Sequence, residues 1–137
     1  MLSPITLTLQ IIFIAGGIFH LVFALLHLFF PYLFQWKKDF KPIRPVNRNM
    51  TYGLNVIVIF SCFIFGFLNL FYHAELLTTV LGKFLLACMT SYWFLRAILQ
   101  VILFGFGNNI SFTVFMFYLV GVFLSLSPLI IAVKLQF

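Results

Sequence analysis

The residues able to do chemistry in this chain are few, and their spacing says where to look. Arg96 sits deep in an apolar stretch, with Tyr92 four residues before it and Gln100 four after. His20 and His27 stand seven apart in another such stretch, and Asn55 and Tyr118 lie in two more. A guanidinium grips oxyanions, an imidazole moves protons or ligates metals, and amide and phenol groups orient either. Brought together, His27, Asn55, Tyr92, Arg96, Gln100 and Tyr118 would form a ligand-binding layer with an anion grip beside a proton-transfer group.

The elements that must position these residues follow from composition. Of 137 residues, 64% are hydrophobic and 7% charged, against about 25% charged in a soluble globular domain. So few charges cannot cover a water-exposed surface, which excludes a soluble monomer, a nucleic-acid-binding domain and a disordered tail. A membrane-spanning helix takes about 20 apolar residues. Four apolar runs meet that length, at about 5–34, 50–72, 76–104 and 111–133. The expected fold is an all-α membrane protein, a single bundle of four transmembrane helices with short loops.

Breakers separate the runs. Residues 37–49 form a basic loop in which Pro42 and Pro45 oppose a regular helix. His73, Ala74 and Glu75 make a short polar break, and Gly105–Asn109 (GFGNN) a stronger one. The first run opens without Lys or Arg and lacks a small-residue cleavage site, so it reads as a retained span. Pro31, near its end, would kink or finish the helix and leave the His27 carbonyl without its usual donor. Lys37, Lys38, Lys41, Arg44 and Arg48 supply five of the eight Lys and Arg. The positive-inside rule then puts this loop in the cytoplasm and both termini outside, as in a bacterial inner-membrane protein. The same cations, with Asn47, are candidates for contact with lipid headgroups or an acidic partner.

At about 100° per residue, each span carries one narrow seam of small or polar side chains. Gly16, His20, Ala24 and His27 share a face, as do Asn55, Cys62, Gly66, Asn69 and His73; Tyr92, Arg96 and Gln100 form a third stripe. Ser111, Tyr118, Gly121 and Ser125 form the fourth. Close packing at small residues and side-chain hydrogen bonds drive helix association in lipid, so such seams predict inward faces.

Arg96 is the sharpest feature. A transmembrane guanidinium costs about 2.5–3.5 kcal/mol on insertion scales and normally pairs with something, yet none of the four runs contains Asp or Glu. Its charge is met by snorkelling to headgroups, by a bound anion, or by a carboxylate of another subunit. His20 and His27, on one face and about 10.5 Å apart along the axis, cannot both ligate one haem iron. Haem through either histidine would need a second chain, and no other cofactor is expected. No metal site is expected either, since the spans offer too few convergent ligands, and Cys62 and Cys88 read as buried small hydrophobes. The leading expectation is a non-catalytic accessory or scaffold subunit, in contact with membrane lipids and with another membrane subunit or a second copy. The alternative is a lipid- or small-molecule-binding membrane enzyme, with His27 as proton-transfer group and Arg96 as anion clamp.

Overall fold

Apolar runs with no water to pair their backbone must satisfy it internally, and these do so as helices. The computed structural model describes residues 4–134, with side chains described from residue 7. Helix α1 runs over Pro4–Leu33, α2 over Trp36–Asp39, α3 over Pro45–Phe71, α4 over His73–Thr78, α5 over Val80–Phe104 and α6 over Asn109–Lys134. Four of them, α1, α3, α5 and α6, are long and apolar enough to cross a membrane. At 1.5 Å per residue, helices of 25 to 30 residues exceed the roughly 30 Å hydrocarbon core. The protein is an all-α, multi-pass membrane bundle, and no strand occurs among the described residues.

Two boundaries differ from the sequence reading, each for a local reason. Pro45 starts α3 rather than blocking it, because a proline in the first turn sacrifices no helical hydrogen bond. Helix α3 therefore begins five residues earlier and absorbs the end of the basic loop. The break at 73–75 is the start of the short helix α4. The chain leaves helical geometry at Tyr72, between α3 and α4, and again at Thr79, whose extended backbone lets its hydroxyl accept from the Gly82 N–H at 2.8 Å and cap α5. Helix α1 runs through Pro31 to Leu33, within a residue of the expected end of the first run.

Around the bundle, α3 packs on α1, α1 on α6 and α6 on α5. The α1–α3 contact is close because Gly17 faces Gly66: a Cβ on either would lie 3.2 Å from the other's carbonyl oxygen. Gly121 of α6 likewise lies flat under the Trp93 indole. Helices α3 and α5 meet instead through long side chains, with the Phe65 and Tyr92 rings 5.5 Å apart and Asn69 Nδ2 3.5 Å from Met89 Sδ. The core has two parts. Phe23, Ala24, Cys62, Trp93, Ala97 and Tyr118 fill the end nearer the basic loop, and Phe13, Leu76, Leu86 and Met89 the opposite end. The circumference carries exposed Phe60, Phe63, Phe67, Phe94 and Phe123, as expected where the outer solvent is apolar.

Candidate functional site

Both α1 histidines make the same two hydrogen bonds. His20 Nδ1 lies 2.6 Å from the Gly16 carbonyl oxygen and His27 Nδ1 3.1 Å from that of Phe23. Carbonyls only accept, so each Nδ1 carries the hydrogen. Each Nε2 is then an acceptor. That of His20 takes the Trp93 indole N–H at 2.9 Å, and that of His27 takes Arg96 Nη2 at 3.3 Å. The tautomer follows from what the neighbours can and cannot donate.

Arg96, half-buried on α5, places Nη2 also 3.2 Å from the Tyr118 hydroxyl of α6. Its guanidinium carbon stands 5.1 Å from the Tyr118 ring centroid and 5.5 Å from that of Phe23, within range of cation–π attraction. Every one of these partners is neutral. The two bonds commit both Nη2 hydrogens, and Nε and Nη1 have no acceptor among the described residues. Neither of these nitrogens is a sealed, unpaired atom of the kind seen at Tyr92 and Ser127, so the three remaining N–H groups stay reachable. Residue 96 stands about 12 Å along the axis from the end of its helix at Phe104, and its guanidinium reaches across to α1 and α6 through His27 and Tyr118.

The other expected site residues divide. Asn55 of α3 donates through Nδ2 to the His27 carbonyl at 2.9 Å, which is the oxygen that Pro31 deprives of its helical donor. Tyr92 has an enclosed hydroxyl that faces the Cys62 thiol without forming a regular hydrogen bond. Gln100 serves a different purpose. Its Nε2 donates to the Ser111 hydroxyl at 2.9 Å, that hydroxyl donates to the Gly105 carbonyl, and Asn108 Oδ1 accepts from the Ser111 N–H at 2.7 Å. Gln100 thus fastens the α5–α6 turn. The layer brings His27, Arg96 and Tyr118 into direct contact, with Asn55 behind His27. Phe23, whose ring lies 4.2 Å from that of His27 and under the guanidinium, was not singled out by sequence. One phenylalanine among 21 carries no signal of its own.

Lys37, Lys38, Lys41, Arg44 and Asn47 are exposed and Arg48 is half-buried. Asn47 accepts through its backbone carbonyl from the Thr51 hydroxyl at 3.0 Å. No group of three or more His, Cys, Asp or Glu converges on a common point among the described residues. Cys62 is buried, Cys88 is exposed, and both are free thiols. To ligate haem, either His20 or His27 would have to surrender one of its two hydrogen bonds. No family model matches the chain, and neither a curated protein nor a solved structure matches it.

Proposed function

We propose that this protein is a non-catalytic accessory or scaffold subunit that docks on another membrane polypeptide by pairing Arg96 with a carboxylate on that partner's helix. One observation carries the reading: an intramembrane guanidinium with only neutral partners and three N–H groups unfilled. A charge in hydrocarbon is stable only when paired, and this chain holds no acid at that depth. A second copy supplies none either, since Asp39 lies in the basic arm and Glu75 in α4 at the opposite end. A lipid phosphate would have to leave the headgroup plane to reach Arg96, whereas a helix can carry its carboxylate at any depth. The cations of the basic arm, if cytoplasmic, orient the chain with both termini outside.

A second reading rests on the 3.3 Å contact between Arg96 and His27. It makes the layer the pocket of a lipid- or small-molecule-binding enzyme, with Arg96 gripping the anionic group and His27 transferring the proton. That role requires His27 Nε2 to exchange Arg96 for substrate.

Native mass spectrometry of the detergent-solubilised protein separates these readings. The wild-type chain is expected to carry a different membrane polypeptide in fixed ratio, with a carboxylate in its crosslinked transmembrane segment. Arg96→Leu is expected to release it and Arg96→Lys to keep part of it. A retained phospholipid or small ligand in place of a polypeptide overturns the accessory reading, as does an Arg96→Leu chain that keeps its partner.

A further inference from the structure

The basic arm supports an inference independent of Arg96. We propose that residues 36–48 form a binding site for a phospholipid headgroup bearing more than one phosphate. Lys37, Lys38, Lys41, Arg44 and Arg48 face a single acid, Asp39, a net of +4 from five cations less one carboxylate. No ion pair among the described residues consumes any of them.

The arm is also built to hold still. Gln35, in the left-handed region at φ 48° and ψ 39°, turns the chain out of α1. Backbone bonds then wind the segment on itself: Phe40 N–H to the Trp36 carbonyl at 2.9 Å, Lys41 to Lys38 at 3.2 Å and Ile43 to Phe40 at 3.1 Å. Three rings fasten it to the first turns of α3, with Trp36 5.3 Å from Tyr52 and 5.1 Å from Phe40, and Phe40 6.0 Å from Tyr52. Such rings, apolar with polar edges, settle at headgroup depth.

Loose cations attract an anionic surface in proportion to its charge, without regard to how that charge is divided among molecules. Cations carried on an ordered backbone have fixed attachment points, so less chain freedom is lost on binding and one molecule that satisfies several of them at once is favoured. The first turn of α3, between Arg44 and Arg48, has no side-chain cap and leaves the Val46 and Asn47 N–H groups beside those two cations. A headgroup with two or more phosphates therefore gains over separate single phosphates at equal total charge.

The test uses the full chain in nanodiscs of phosphatidylcholine containing either phosphatidylglycerol or half as much cardiolipin, so that total anionic charge is equal. Bound lipid is counted by native mass spectrometry. Trp36 fluorescence with brominated lipid provides a second reading, since Trp93 is wholly buried. Cardiolipin is expected to be retained about tenfold over phosphatidylglycerol. The triple substitution K37Q/K38Q/K41Q, confined to exposed side chains, is expected to reduce that preference to below about twofold while the helical circular dichroism stays unchanged. Equal retention at matched charge overturns the proposal, and so does a preference that survives the triple substitution. Both results stand apart from the Arg96 reading, which Arg96→Leu tests.

Discussion

Seven residues apart on α1, two histidines adopt the same tautomer, bond the carbonyl one turn back and accept from α5 residues three positions apart. The outcomes are opposite. At His20 the donor is Trp93, which has one N–H and spends it, and the two side chains are 1% and 0% exposed. At His27 the donor is Arg96, which has five N–H groups and spends two. The first site is closed and serves packing. The second has the same architecture but cannot close, because no acid of this chain reaches it. The identity of the donor, and not the histidine, decides whether such a site looks outside the chain.

The largest expected effect breaks the closed half. Trp93→Ala removes a wholly buried ring, leaves His20 Nε2 without a donor and opens space over Gly121. A loss of about 3–5 kcal/mol is expected, read as a fall in thermal unfolding temperature in detergent. Arg96→Leu should behave otherwise. Removing an under-paired cation offsets the two lost hydrogen bonds, so stability of the isolated chain should stay within about 1 kcal/mol of wild type. A loss as large as that of Trp93→Ala would show that Arg96 is a packing residue like its neighbour. The smallest effect sharpens the comparison: Asn55→Ala leaves the His27 carbonyl unpaired and should cost about 0.6 kcal/mol, a typical value for a side-chain hydrogen bond in a membrane bundle. It should also weaken partner retention by loosening the end of α1, on which His27 stands.

Much of this was legible in the sequence because it rests on strong local rules. Apolar run length gives four spans, the 100° periodicity puts His20, His27, Asn55 and Tyr118 inward, and the chemistry of Pro31 foretells a free carbonyl at His27. What the sequence hides is tertiary. The stripe Tyr92–Arg96–Gln100 suggests one site, but Gln100 is drawn away by Ser111, a partner across a turn whose geometry depends on Gly105 at φ 59°. Trp93 reads as one more apolar residue until His20 is seen opposite it. Thr79, the real start of α5, announces itself only through its hydroxyl cap, whereas the polar run at 73–75 looks like the break and is helical.

The most direct measurement is nitrogen-15 NMR of the arginine side chains, of which there are three, Arg44, Arg48 and Arg96. In the isolated chain, Arg96 is expected to show distinct Nη1 and Nη2 signals, with the Nη2 hydrogens held and those of Nη1 and Nε unprotected. Pairing with the external carboxylate should then shift and protect the latter set. An Arg96 spectrum that matches the exposed Arg44, or one in which all five N–H groups are protected before any partner is present, contradicts the account.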